Sequence, residues 1–343
     1  MTTDILFEEV SGQHGKNIGL ITLNRQQALN ALNHEMFIAI YDYLQKWQTA
    51  ASIKAVIIRA APGRAFSAGG DIRAVYQGKI TNNTNFSHIF IDEYKVNKLI
   101  HHYSKPYIAI LDGITMGGGA GLSMHASYRI ATERLIFAMP ETNIGFFPDI
   151  GASYFLSRLP HCMGIYLGLT SEKIAYNDCY ALGLVDAVID FHSQEMLLQL
   201  FAEQESLDKS VIENSIKKWL IPVPKSTLLE HQHEIETCFS KNTVEEIIDA
   251  LHTYGSDWCV KTAEILLKKS PTSLKVTLQE IHQGKLLDFN SCMQMENHIM
   301  QQMIQGHDFF EGIRAAIIDK DQNPQWKPAK LADVKVEDVE CYF

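Results

Sequence analysis

A chain of 343 residues with 30 basic and 40 acidic side chains, and so a formal charge of −10, has room for about two domains and is too acidic overall to present a nucleic-acid or polyanion surface. Its apolar fraction of 46% and charged fraction of 20% are those of a globular protein and exclude extended disorder and coiled coil. No apolar run approaches the ~20 residues of a membrane span, and the first ten residues, with Asp4, Glu8 and Glu9, have neither signal nor transit character, so a mature cytoplasmic protein is expected.

In chain order, short β-branched runs bounded by Gly, Asn, Pro or Asp predict strands at residues 5–10, 18–23, 55–59, 107–111, 128–131, 135–138 and 185–189. Between them, Phe37, Ile40, Tyr41, Leu44 and Trp47 fall at helical spacing, as do Phe86, Phe90, Tyr94 and Leu99. Strands alternating with helices call for crossovers rather than hairpins, and for an α/β class. Residues 81–85 read as a polar surface loop. Beyond residue 190 the periodicity is helical almost throughout: Val244, Ile247, Ile248 and Leu251, then Met295, Ile299 and Met303, then Phe310, Ile313 and Ile317. That shift places an expected boundary between residues 1–190 and a helical region, 191–343. Ser270-Pro271 supplies a cap before a proline at the first helical position, and Asp308 with Glu311 has the spacing of a capping box. Six cysteines without a CxxC pair read as reduced thiols, and His101-His102 and His231-x-His233 lack the acids or thiols that would complete a metal site.

Chemistry can be sought in three clusters. Two are glycine turns placed for a strand-to-helix junction: Phe66-Ser67-Ala68-Gly69-Gly70-Asp71 and Met116-Gly117-Gly118-Gly119-Ala120-Gly121. Each can aim a backbone N–H at an oxyanion, and two such donors would make an oxyanion hole; the bland alternative is that the glycines only permit tight turns and close packing. Neither ends in the Lys-Ser/Thr of a P-loop, and the first lacks the GxGxxG of a dinucleotide fold. The third cluster, residues 137–149, holds Glu141 and Asp149 among Phe, Met and Pro. Carboxyls in such company lose solvation and rise in pKa, which suits proton transfer; alternatively each caps a turn or helix.

Taken with Ala28-Leu29-Asn30-Ala31-Leu32, these clusters resemble the crotonase (enoyl-CoA hydratase/isomerase) superfamily. Gly70-Asp71-Ile72-Arg73, Asp92-Glu93-Tyr94, Gly113-Ile114-Thr115-Met116-Gly117-Gly118-Gly119, Met139-Pro140-Glu141-Thr142, Gly145-Phe146-Phe147-Pro148-Asp149, Ser270-Pro271-Thr272-Ser273-Leu274-Lys275 and Gly306-His307-Asp308-Phe309-Phe310-Glu311-Gly312-Ile313-Arg314-Ala315 narrow the likeness to its branch that hydrolyses 3-hydroxyisobutyryl-CoA. The resemblance covers nearly the whole chain. It implies a crotonase-like ββα spiral for residues 1–190, holding the acyl-CoA site, followed by the helical C-terminal region.

By resemblance, the N–H groups of Gly70 and Gly118 are the oxyanion donors, and coenzyme A, part of the substrate, lies against the backbone near Ala28 to Asn30 and Ala68 to Asp71, with Arg25 or Arg73 near its phosphates. Glu141 drives attack on the thioester, as general base or as nucleophile. Asp149 reads the 3-hydroxyl, and Glu93 holds the acyl end or a water; without the resemblance, Glu93 reads equally well as a charge on a solvated helix face. One departure decides the branch. Hydratases of the superfamily carry a second glutamate two residues after the glycine triplet, where this chain has Gly121. Ordinary hydration is therefore disfavoured, as is a non-catalytic acyl-CoA binder that would have no use for both acids. No metal or redox cofactor, nucleic acid or membrane is expected as a partner. A homo-oligomer is admitted, because oligomers are common in the superfamily.

Overall fold

A computed structural model describes residues 3–12, 15–83 and 85–343; Thr84 of the loop expected at 81–85, and Met1 and Thr2, lie outside the described residues. Contacts gather the chain into two units, each assembled from separate segments. One comprises Met1–Asp71, His88–Phe137 and Ile174–Ser226; the other comprises Ile72–Ser87, Ala138–Lys173 and Thr227–Phe343.

The strands are β1 (Ile5–Val10), β2 (Asn17–Leu23), β3 (Ile53–Ala60), β4 (Ala65–Ser67), β5 (Tyr107–Leu111), β6 (Ile114–Met116), β7 (Tyr128–Thr132), β8 (Ile136–Ala138), β9 (Ile174–Ala175) and β10 (Ala187–Ile189). One sheet of the first unit runs β1-β2-β3-β5-β7-β10. From β2 onward its neighbours pair in parallel, and a parallel sheet is covered on both faces, which is why β3 and β5 are near-continuous apolar runs. β1 and β2 pair antiparallel, Ile5 opposite Leu23. This hairpin corrects the expectation of crossovers throughout: the residues between Val10 and Asn17 are too few for a parallel return, which needs about a dozen.

On one face of this sheet, Ile18, Leu20, Ile57, Ile108, Ile110, Ile130 and Ile189 pack against Leu197, Leu198, Phe201, Ile212 and Ile216, carried by helices Gln194–Glu203 and Lys209–Ile216. Those helices follow residue 190 yet complete the core of the first unit, so contacts close it at Ser226; the change of periodicity at 190 marks a change of secondary structure. Helix His34–Thr49 buries Phe37, Ile40, Leu44 and Trp47, as the spacing predicts. A Cβ on Gly19 would stand 2.5 Å from the Trp47 indole, so glycine there lets the ring lie against β2.

A second sheet, β4-β6-β8-β9, escaped the sequence reading except at β8, since strands of two or three residues carry no readable period. It does the positioning. β4 pairs in parallel with β6, Ala65 opposite Ile114 and Ser67 opposite Thr115, so the two glycine turns leave neighbouring strand ends in the same direction.

The second unit is helical. All of Met163–Thr170 is buried, as suits a segment apolar on every side. Pro271–Gly284 packs on Ala152–Leu156 and Met163–Thr170, and a side chain on Gly284 would run into the Ser153 carbonyl. Its start is as predicted: Pro271 in the first turn, and the Ser273 N–H donating to Ser270 Oγ at 3.1 Å. The capping box expected at Asp308 and Glu311 does not form. Helix Asp308–Ile313 begins without a side-chain cap; Asp308 instead accepts from Ser270 Oγ at 2.6 Å and the Lys327 N–H at 2.8 Å, while Glu311 binds Arg314 at 2.8 Å. A buried hydroxyl and a guanidinium are better partners for these carboxylates than the amides of their own helix. Phe309, not Phe310, is the fully buried aromatic of that helix. The six cysteines are free thiols. Among the described residues no helix is long and apolar enough to cross a membrane.

Candidate active site

In the first unit the glycine turns form a pair of donors. Gly69, at φ +111°, reverses the chain after β4, and a parallel bridge joins Leu32 to Gly70. The bridge runs from the Leu32 N–H to the Gly69 carbonyl and from the Asp71 N–H to the Leu32 carbonyl, both 2.8 Å, and so does not consume the Gly70 N–H. Gly118 opens the helical turn Gly118–Gly121 behind Gly117, where an N–H has no acceptor within its own helix. The space over Gly118 is shared: a Cβ there would lie 3.2 Å from Gly70 N and 2.5 Å from Glu93 Oε1. Both expected oxyanion donors and Glu93 thus meet at one place. Glu93 is 4% exposed on the buried face of helix His88–His101, which removes the solvated-face alternative. One turn along, Asn97 is buried with neither end of its amide hydrogen-bonded to a described residue; the sequence reading passed over it.

The segments expected beside coenzyme A are tied together in the same unit. The Ala68 N–H donates to the Leu29 carbonyl at 3.0 Å, and Ala28, Ala68 and Asp71 are half-buried. Asn30, 1% exposed, spends its side chain internally, Oδ1 accepting from the Arg25 N–H and Nδ2 donating to the Ala65 carbonyl, both 2.8 Å. It organises the turn, and its backbone is engaged as well, the N–H donating to the Arg25 carbonyl at 2.9 Å and the carbonyl accepting from Ser67 Oγ at 2.8 Å. Arg25 is held by Asp71 at 2.7 Å and by the Ala31 carbonyl at 2.9 Å; in the second unit Arg73 donates to the Ile317 carbonyl at 2.9 Å. Both guanidinium groups considered for the phosphates are engaged with protein.

The second unit holds the acids. Glu141 opens a 3₁₀ turn, Glu141–Ile144, whose start has no side-chain cap. Thr142 Oγ1 anchors the turn on the Leu169 carbonyl at 3.1 Å, and Lys269 Nζ donates to Asn143 Oδ1 at 2.5 Å. Glu141 is 7% exposed, and its Oε2 has no hydrogen-bond partner among the described residues. Burial pushes its carboxyl well above the ordinary range, the Asp149 charge adds to this, and Lys269 opposes it. Asp149, 5% exposed, precedes helix Ala152–Leu156, which also begins without a side-chain cap. Burial draws the Lys269 ammonium down to about 7 against Glu172 and Glu141.

Two further acids were not foreseen. Glu296, fully buried on Phe289–Met303, accepts from the Gly151 N–H at 2.6 Å, the Ser153 N–H at 2.9 Å and Ser153 Oγ at 2.5 Å; burial pushes it up to about 8 against those donors. Glu280, on Pro271–Gly284, is fully buried with neither carboxyl oxygen hydrogen-bonded to a described residue. Burial raises it well above its ordinary 4.5, with the charges of Glu296, Asp149 and Glu141 adding. Burial and these charges all favour the protonated form of Glu280 in the folded chain. Its folded form holds a proton that the unfolded chain releases above about pH 4.5, so this group makes stability fall as the pH rises. Glu280→Gln, isosteric with the neutral acid, removes that loss. Thermal melts should show the variant gaining on the parent by about 2 °C or more between pH 5 and pH 8; a gap independent of pH would contradict the assignment.

A model of the enoyl-CoA hydratase/isomerase family matches residues 18–343, and the chain belongs to that family. It is 43% identical over 330 residues to the mitochondrial 3-hydroxyisobutyryl-CoA hydrolase of Rattus norvegicus, covering 95% of this chain and 86% of the relative. To the Homo sapiens protein of the same name it is 42% identical over 341 residues, covering 98% and 88%. Among solved structures, a carnitinyl-CoA dehydratase from Mycobacterium thermoresistibile superposes with a TM-score of 0.91 at 33% identity, over 100% of this chain and 96% of that one. An enoyl-CoA hydratase from Rhodobacter sphaeroides 2.4.1 superposes with a TM-score of 0.89 at 30% identity, over 99% and 97%. The α/β crotonase fold expected from the motifs is thus the fold of this chain.

Proposed function

We propose that the protein hydrolyses the thioester of (S)-3-hydroxyisobutyryl-CoA to 3-hydroxyisobutyrate and free coenzyme A, a step of valine breakdown. The observation that carries this reading is the placement of the acids: Gly121 closes a buried helical turn where hydratases have their second glutamate, while Asp149 is buried and electrostatically coupled to Glu141. The names of the relatives at 42–43% identity agree with it.

In this reading the Gly70 and Gly118 amides bind the thioester oxygen as it gains charge, each donor contributing ~3 kcal/mol in acyl transfer. Glu141 delivers the nucleophile, either by taking a proton from water or by attacking the carbonyl itself to give a mixed anhydride that water then opens. The thiolate leaves and is protonated to free coenzyme A. Asp149 accepts a hydrogen bond from the 3-hydroxyl, and Glu93 holds the acyl end or a water. The pantetheine and adenine lie along Ala28, Asn30, Ala68 and Asp71. The chemistry requires no metal or redox cofactor, and no nucleic acid or membrane. Cytoplasmic placement rests on the composition of the first ten residues alone, and the relatives are named mitochondrial; cell fractionation decides between the compartments.

The names of the two solved neighbours favour a second reading, hydration or dehydration of an enoyl-CoA. Two assays on the purified protein separate them. Thiol release from 3-hydroxyisobutyryl-CoA with no loss of the enoyl chromophore of crotonyl-CoA supports the hydrolase. Enoyl loss without thiol release would overturn it.

A further inference from the structure

The turn that carries Asp149 is closed by the Ala152 N–H donating to the Asp149 carbonyl at 3.0 Å and is strained. Ile150 sits at φ +61° and Gly151 at φ +82°, so a buried β-branched residue, 1% exposed, adopts the left-handed conformation that such residues avoid. Strain of that kind persists only where surrounding structure over-determines it. Helix Ala152–Leu156, which follows, has no side-chain cap of its own. Both needs are met by one side chain from a distant segment: Glu296 accepts hydrogen bonds from the Gly151 N–H, the Ser153 N–H and Ser153 Oγ at 2.5–2.9 Å. All three partners donate, so the site uses both oxygens of the Glu296 carboxyl as acceptors. An amide cannot replace it without turning an N–H toward an N–H.

We propose that Glu296 is a positioning residue of the active site, a buried carboxyl group whose two oxygens clamp the strained Ile150-Gly151 turn and thereby fix the aim of Asp149 at the 3-hydroxyl of the substrate. The inference rests on the proposed role of Asp149 and adds a residue that does not itself touch the acyl group. Its function depends on reach as well as on having two acceptor oxygens: a shorter acid at this position could not hold both Gly151 and Ser153.

The test is substrate discrimination. kcat/KM for thiol release is measured with 3-hydroxyisobutyryl-CoA and with isobutyryl-CoA for the parent, Glu296→Gln, Glu296→Asp and Ser153→Ala. A loosened turn costs about 100-fold in kcat/KM on the hydroxylated substrate, while the non-hydroxylated thioester, which has nothing for Asp149 to read, changes by less than about threefold. Ser153→Ala, which loses one donor of three, shows the same pattern more weakly and covers the case in which the Glu296 variants fail to fold. A purely structural role would lower both substrates together through the amount of folded enzyme. Equal losses on the two substrates, or an unchanged ratio in Glu296→Gln and Ser153→Ala, would overturn the proposal. If the parent itself does not prefer the hydroxylated thioester, it is the reading of Asp149 that has failed.

Discussion

Replacing Glu141 with Gln is expected to lower kcat for thiol release from 3-hydroxyisobutyryl-CoA by at least about 10³-fold, within the range lost when a proton-transfer group is removed, and by more if the carboxylate is itself the nucleophile. KM should stay within a few-fold, because the amides of Gly70 and Gly118 remain. The fold should tolerate the change well. Burial already raises the carboxyl far above its ordinary range, so Gln mimics the form that the folded chain prefers. Because attack needs the ionised acid, the parent's rate should rise with pH along a limb lying above the ordinary carboxylate range, whereas the residual rate of Glu141→Gln should lack that limb. Turnover near the parent's would remove Glu141 from the mechanism.

Asp149→Ala should act on two readouts at once. Without an acceptor, the buried 3-hydroxyl of the substrate loses its partner, and an unpaired buried hydroxyl costs about 1–3 kcal/mol; kcat/KM on the hydroxylated thioester should fall about 10- to 100-fold while that on isobutyryl-CoA moves little. The second readout comes from charge. Asp149 is among the groups that raise Glu141, so its removal should shift the limb of the pH profile to lower pH. A fall in rate with no shift of the limb would mean that the two acids do not sense each other in the working enzyme.

What the sequence disclosed and what it withheld follow from the range of the interactions involved. The glycine turns were legible because close approach and φ values such as that of Gly69 leave glycine as the residue of choice. The burial of Glu141 and Asp149 was legible because acids set among Phe, Met and Pro are carried into the core with them. Their positioning was not legible. The pairing of β4 with β6, which sets the two glycine turns side by side, involves segments too short to show a period. Glu280 and Glu296 lie on amphipathic helices among Gln, Asn and His, where an acid reads as a solvated face; only the packing of Pro271–Gly284 and Phe289–Met303 buries them. The missed capping box at Asp308 has the same origin, since Ser270 and Lys327 reach it from remote parts of the chain. The helices that complete the first sheet from beyond residue 190 are a further case, because the periodicity of Leu197, Leu198 and Phe201 announces a helix without naming the surface it covers.

The central claim is that this enzyme cleaves a thioester whose acyl group it recognises by a 3-hydroxyl. The most direct test is the ratio of kcat/KM for coenzyme A release between 3-hydroxyisobutyryl-CoA and isobutyryl-CoA, measured side by side with the purified protein. A ratio of about 10³ or more is predicted, since a site built to pair a hydroxyl discriminates strongly against the analogue that lacks it. A ratio near one, or no thiol release from either thioester, would contradict the account.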